Sequence, residues 1–277
     1  MNPTSDSSSL PKKNDADLAR RFGGIARLYG DQGLARLANA HVCVIGIGGV
    51  GSWVAESLAR SAIGSITLID LDVVAESNIN RQLVATEDQI GRDKTAVMKQ
   101  RIESINSACT VSIVDEFVDE NNIPSLITER FDFVVDCIDD FRTKAFLIAH
   151  CRRRKINVIC TGGAGGQVDP TKIRQSDLSR TQHDVLLAKT RKLLRQDYGF
   201  ARNLKRSFGV PCVYSDEQLV YPDGEGGLSA QRPPQNPEGG SSNALNCAGG
   251  IGSITHVTGS FAFVASAFVL NQIAQND

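Results

Sequence analysis

The chain has 277 residues, 41% of them hydrophobic and 22% charged, with a net charge of −1. That is enough chain to bury a full core, at an ordinary globular composition, with no overall pull toward nucleic acid or membrane. The charge is unevenly placed: Ser179 to Arg206 holds eight Lys/Arg against two Asp, a local +6 against −7 elsewhere. The seven cysteines, at 43, 109, 137, 151, 160, 212 and 247, form no CxxC pair, which excludes the common zinc-ribbon spacing. An odd count, with several in apolar runs, reads as reduced thiols of a cytoplasmic protein.

Residues 1–17 have no apolar core of a signal peptide and are expected to form a disordered tail before a single domain over 18–277. From residue 41 onward strand and helix patterns alternate. HVCVIGIG is a short β-branched apolar run, VGSWVAESLARSAI has helical spacing, SITLID is a second strand and GRDKTAVMKQRIESIN a second helix. TVSIVDEF and FDFVVDCI follow as strands, RTKAFLIAHCRRRK as helix and NVICTGG as strand. This alternation predicts an α/β, Rossmann-like, mostly parallel sheet with helices on both faces, and the expected fold adds an antiparallel extension and a crossover insertion.

After TGGAGGQVDPTKI the pattern weakens. Residues 179–248 are expected to be a basic crossover insertion, helical over 179–206, extended at SFGVPCVYSDE and mobile over the Gly/Pro/Ser/Asn-rich stretch 221–246. Residues 249–275 are expected to form an apolar C-terminal helix. Its apolar core, Phe261 to Leu270 apart from Ser266, is about half of the ~20 residues a membrane span requires. It reads as a buried or interface helix, with membrane association as the alternative.

Gly46, Gly48 and Gly51 form G-x-G-x-x-G between a strand and a helix, the context in which that spacing binds phosphate. The missing side chains let backbone N–H groups approach a phosphate, and the helix N-terminus adds its positive end. Asp70 ends the next strand, where a carboxylate accepts from ribose hydroxyls. Any nucleotide with a free ribose fits this much.

Three further residues discriminate between nucleotides. Lys94 stands in the first turn of the GRDKTAVMKQ helix, where a cation opposes the macrodipole unless it meets an anion. Arg81, among Asn78, Asn80 and Gln82, brings a planar donor fork. Asp139 and Asp140 follow the strand FVVDCI, at the carboxyl end that faces the glycine loop. An acid beside a triphosphate suits magnesium. Cations and a metal around phosphates suit nucleotidyl transfer, whereas NAD-dependent hydride transfer needs neither.

Together GIGGVG, LIDLD, SNINRQ, KTAVM and DCIDD resemble the ThiF/MoeB adenylating family, relatives of the ubiquitin-activating enzymes. The resemblance implies ATP and Mg2+ as cofactors. It implies that Gly46, Gly48, Gly49 and Gly51 line the phosphates and that Asp70 holds the ribose. By the same likeness Asn78, Arg81 and Lys94 neutralise the triphosphate, Gln82 supports it and Asp139 binds magnesium, with Arg81, Lys94 and Asp139 the catalytic set.

RRFGGIARLYG, CRRRKI, TGGAGGQVDPTKI, LVYP and the C-terminal helix are similar to the tRNA-modifying branch of that family, the threonylcarbamoyladenosine dehydratases. That likeness implies ATP-dependent cyclisation of a threonylcarbamoyl group on the adenosine next to the tRNA anticodon, through carboxylate adenylation. The alternative is an adenylyltransferase for the C-terminus of a sulfur-carrier protein; a non-catalytic ATP-gated adaptor is a third reading. Implied partners are tRNA, a second copy of the chain in a homodimer, and a sulfur-transfer (cysteine desulfurase-type) protein. RRRK at 152–155 and the run 189–206, with Tyr198 and Phe200, are expected to contact tRNA phosphates and stack on a base. Cys212 and Cys247 read as core or incidental thiols. One departure stands out: where some relatives carry an arginine that reaches the partner subunit's ATP, this chain has Gly24, with Arg21 and Arg27 nearby.

Overall fold

The structure is a computed structural model in which residues 17–231 and 251–275 are described. The expected tail up to residue 16, residues 232–246 of the expected mobile stretch, and residues 247–250, Cys247 among them, lie outside the described residues. Seven strands form one sheet: β1 (His41–Ile45), β2 (Ser65–Ile69), β3 (Thr110–Val114), β4 (Phe133–Asp136), β5 (Val158–Thr161), β6 (Ile173–Asp177) and β7 (Pro211–Ser215). Their spatial order is β3-β2-β1-β4-β5-β7-β6, parallel throughout except for the antiparallel β6–β7 pair. The predicted Rossmann-like sheet with an antiparallel extension is the observed one.

Successive side chains of a strand face opposite sides, and here each side has its own helical layer. Val42, Val44, Ile66, Leu68 and Val135 pack with α2 (Gly51–Arg60), α3 (Lys94–Ile105) and the first and last helices. Cys43, Ile45, Val134 and Cys160 pack with α4 (Ile123–Leu126), α5 (Phe141–Arg154) and α6 (Val185–Asp197). Strands buried on both faces read as continuous apolar runs, which is why HVCVI and FVV were legible.

Two elements carry no such signal. The first helix, α1 (Leu18–Asn39), is two helical segments joined at Gly30, whose φ of +74° suits glycine. Its buried side chains are Phe22 and Leu37 alone, too few for a clear period. In β6 only Ile173 is buried, so IRQSD lacks the alternation of an inner strand. The expected basic helix is shorter than 179–206. Asp184 caps α6 by accepting from Leu187 N, and the helix ends at Asp197. Residues 221–231 form a small hairpin, β8 (Tyr221–Pro222) with β9 (Leu228–Ser229).

The C-terminal helix α7 begins at Thr255 rather than 249, because Ile251, Gly252 and Ser253 run non-helically along a cavity wall. It is long and apolar enough to cross a membrane, yet 61% of its apolar window is buried inside the protein. Val257, Phe261, Ala265 and Val269 are fully buried, in contact with α1, α2 and the sheet. By packing, α7 is a core helix.

Candidate active site

A cavity of about 1160 Å3 opens at the carboxyl ends of β1, β2, β4 and β5. Every predicted site residue except Gly51 lines it: Gly46, Gly48, Gly49, Asp70, Asn78, Arg81, Gln82, Lys94 and Asp139. Gly51 is instead the first residue of α2, and a side chain there would collide with the Gly46 carbonyl. Gly46 turns with φ +85° and lies against the Cys137 carbonyl. So these two glycines shape the turn. Val50 at the N-cap offers no side-chain hydrogen bond; Ser52 N donates to Gly48 O, while the first-turn N–H groups of Gly51 and Trp53 have no acceptor among the described residues and stay available to an anion.

Asp70 is fixed by two backbone donors: Ile47 N reaches Oδ2 at 2.6 Å and Asp72 N reaches Oδ1 at 2.8 Å. Burial raises its carboxyl above the usual range, against the opposing pull of the Asp72 hydrogen bond and the Lys94 charge. Lys94 does meet an anion. Its Nζ lies 2.8 Å from Asp72 Oδ2, with the lysine side chain 6% exposed and the aspartate 52%. Asp72, the second acid of LIDLD, was not singled out from sequence, although it stands in the quoted motif.

The SNINRQ segment folds as a turn around Asn78, whose Oδ1 accepts from Ala75 N and whose carbonyl accepts from Arg81 N and Gln82 N. The Arg81 guanidinium curls back on that turn, donating to Ser77 O at 2.5 Å and Asn80 Oδ1 at 3.0 Å. Gln82 is buried, and its Oε1 has no hydrogen-bond partner among the described residues. Three further residues missed in the sequence hold this segment. Ser52 Oγ donates to Gly48 O and accepts from Leu83 N, tying segment to glycine loop. Trp53 Nε1 and Thr258 Oγ1 both donate to Arg81 O at 3.2 Å. A serine after G-x-G-x-x-G was the available signal; Thr258, far along the chain, had none.

The two acids after β4 divide their work. Asp140 caps α5, accepting from Arg142 N and Thr143 N. Asp139 stays exposed on the cavity wall, with no hydrogen bond or ion pair among the described residues. Beneath them lies a fully buried pair, Lys144 Nζ and Asp136 Oδ1, 2.8 Å apart.

Other expectations fare differently. Tyr198 and Phe200 do not present free faces: Tyr198 packs edge-on to Phe146 and donates to Glu120, and Phe200 packs on Phe208. Base stacking by these rings is therefore corrected to core packing. Arg191 is engaged with Thr181, and Arg195 donates to Ala201 O and lies over Phe208, whereas Lys192, Arg202, Lys205 and Arg206 are exposed. Arg21 donates to Ile105 O and Arg27 lies beside Gly23 and Gly24; neither lines this chain's own cavity. Burial pushes the Cys137 thiol, on the cavity wall, up to about 12, and Cys212 in β7 rises as well, so neither is primed as a nucleophile.

The fold and this site define an ATP-utilising α/β protein of the adenylating type. The chain belongs to the ThiF family, whose model matches residues 22–276. It is 50% identical to the tRNA threonylcarbamoyladenosine dehydratase of Haemophilus influenzae, over 92% of this chain and 93% of that one. Crystal structures of the Escherichia coli tRNA N6-threonylcarbamoyladenosine dehydratase with ATP and with AMP each match with a TM-score of 0.81. Both are 46% identical, covering 93% of this chain and 96% of theirs.

Proposed function

We propose that this chain catalyses the ATP-dependent dehydration of the threonylcarbamoyl group on the adenosine next to a tRNA anticodon. The observation that carries this reading is one cavity joining an open helix N-terminus, Arg81, Lys94 and the unengaged Asp139. It occurs in a chain alike, over 92% of its length, to an enzyme so named.

A carboxylate is a poor acceptor because oxide leaves badly. Attack of a substrate carboxylate oxygen on the α-phosphorus of ATP forms a P–O bond and releases pyrophosphate. The acyl group then has AMP as its leaving group. The carbamoyl group loses a proton as it attacks the acyl carbon, the C–O bond to AMP breaks, and the ring closes. The oxygen of the lost water departs in AMP. Closure within one nucleoside gains from proximity and needs no enzyme thiol.

The protein's part is to hold and neutralise. First-turn N–H groups of α2 and the cations Lys94 and Arg81 oppose charge developing on the leaving pyrophosphate, where fixed donors act most strongly. For that Arg81 uncurls from Ser77 and Lys94 exchanges some of its attraction to Asp72. Asp70 orients the ribose. Asp139 suits magnesium, since one carboxylate with phosphate oxygens is a common way to hold that ion, which would polarise the phosphates when bound.

The reading includes a homodimer, favoured by exposed apolar side chains such as Phe263 of α7 and Leu28 of α1; a monomer by light scattering at micromolar concentration would contradict it. Six free cysteines among the described residues favour a cytoplasmic setting, and the packing of α7 speaks against membrane contact. The dehydration consumes no sulfur, so a sulfur-transfer partner stays a separate expectation. The deciding experiment is mass analysis of nucleosides from modified tRNA treated with protein and ATP. Loss of one water from the threonylcarbamoyl nucleoside supports the reading, and an unchanged nucleoside refutes it. Pyrophosphate release stimulated by a carrier-protein C-terminus instead of tRNA would point to the sulfur-carrier alternative.

A further inference from the structure

The cavity is larger than its nucleotide half. In the order β3-β2-β1-β4-β5 the winding reverses between β1 and β4, and a nucleotide takes this switch point in open α/β sheets. The phosphate loop, Asp70, Arg81 and Lys94 stand on the β1–β2 side. Across the switch, at the end of β5, the wall is a second glycine stretch, Gly162 to Gly165.

This stretch is held from beneath. Buried Asp184 accepts from Gly163 N at 2.9 Å through Oδ2 and from Leu187 N at 2.8 Å through Oδ1, so one carboxylate caps α6 and pins the loop. A side chain at Gly162 would strike that carboxylate. Lys144, fully buried, pairs with Asp136, and its charge also acts on Asp184. Burying three ionisable groups is costly unless they are paired and hydrogen-bonded. Here Asp184 holds the run directly through Gly163 N, with the Lys144–Asp136 pair beside it.

The other side of the run is open. A Cβ at Gly163 would meet nothing within 4 Å. The backbone N–H groups of Ala164 and Gly165 have no acceptor among the described residues, although both residues line the cavity. Neighbouring backbone donors without a protein acceptor make a concavity suited to an anion.

We propose that Gly162–Gly165 is the acceptor subsite, which receives the carboxylate-bearing side chain of the modified nucleoside. The N–H groups of Ala164 and Gly165 donate to the carboxylate, and the open space at Gly163 takes the adjoining aliphatic atoms. The carboxylate then lies across the switch point from the phosphate loop, on the side from which it meets the α-phosphate. The inference rests on the dehydratase reading and adds to it the place of the second substrate.

Gly163→Val and Gly163→Ala, made in the full chain, test it, because a Cβ at this position meets nothing within 4 Å. With saturating ATP, kcat/KM for tRNA carrying the modified nucleoside should fall about 10- to 200-fold for Val, the range one misplaced methylene-sized group commands in a fitted pocket. Ala should cost less. ATP affinity, binding of tRNA lacking the modification and the melting temperature should stay at wild-type values. Unchanged kcat/KM in both variants, or a loss confined to ATP affinity, overturns the subsite. If Val lowers the melting temperature, Ala alone decides by the same criteria. Wild-type protein is assayed first: absence of any dehydrated nucleoside there refutes the function itself, a result separate from failure of the subsite.

Discussion

Lys94, buried in the first turn of α3, lies 2.8 Å from the carboxylate of Asp72 on the cavity wall. The pair explains how a cation persists where the helix macrodipole opposes it. It also keeps the ammonium beside the cavity before any phosphate arrives. Lys94→Ala and Arg81→Ala should each lower turnover about 10²–10³-fold, the usual cost of removing one preorganised donor to developing charge. Steady-state assays with normal turnover in either variant would remove that residue from the phosphate site. Asp72→Asn should leave Lys94 in place and lower turnover far less.

Asp139 and Asp140 are adjacent but separable. Asp140→Ala should destabilise the fold by about 1 kcal/mol through loss of the α5 cap, read as a shift in the denaturant midpoint. Asp139→Asn should leave that midpoint unchanged while abolishing magnesium-dependent activity and sparing much of the ATP affinity. A variant at Asp139 with normal magnesium dependence would contradict its assignment as the metal ligand.

The buried Lys144–Asp136 pair makes a stability prediction. Lys144→Met leaves Asp136 uncompensated, and Asp136 Oδ2 already lacks a hydrogen bond among the described residues. Breaking such a pair from one side costs about 3–5 kcal/mol. Denaturant titration should show this loss for Lys144→Met and a smaller one for the double variant Lys144→Met/Asp136→Leu. Equal losses in the two would mean that charge pairing is not what the site supplies.

The basic segment now divides by role. Arg191 and Arg195 brace α6 internally, so their replacement mixes folding with binding. Lys192, Arg202, Lys205 and Arg206 are exposed, on or just beyond α6. Neutralising these four should weaken tRNA binding and flatten its salt dependence by about 0.7–0.9 log units per lost phosphate contact. ATP affinity should not change. Identical salt slopes for variant and wild type would show that tRNA docks elsewhere.

What the sequence disclosed was local. The glycine turn and Asp70 sit at the carboxyl ends of β-branched runs, and the SNINRQ turn and Lys94 lie on the segment that leads from β2 into α3, so short-range pattern placed them on one rim. Lys144 shows the limit: in RTKAFLIAHCRRRK a lysine looks like a solvated helix charge, and only the arrival of Asp136 and Asp184 from other elements reveals its burial. Tyr198 and Phe200 failed for the same reason, since aromatic rings among charges look exposed until Phe146 and Phe208 are placed beside them. Edge strand β6 buries one apolar residue, which leaves periodicity nothing to detect.

The last-described stretch of chain does more than fill the core. Ile251, Gly252, Ser253 and Thr258 wall the cavity, Asn80 Nδ2 donates to Ser253 O, and Thr255 Oγ1 donates to Asn80 O. A ribosome builds the glycine loop first and this wall last of the described elements. During synthesis the nascent protein therefore carries the glycine loop, Asp70, Arg81 and Lys94 in an unfinished bowl, one side missing. The bowl around the glycine loop is closed on this side only once the polypeptide has been made through Thr258.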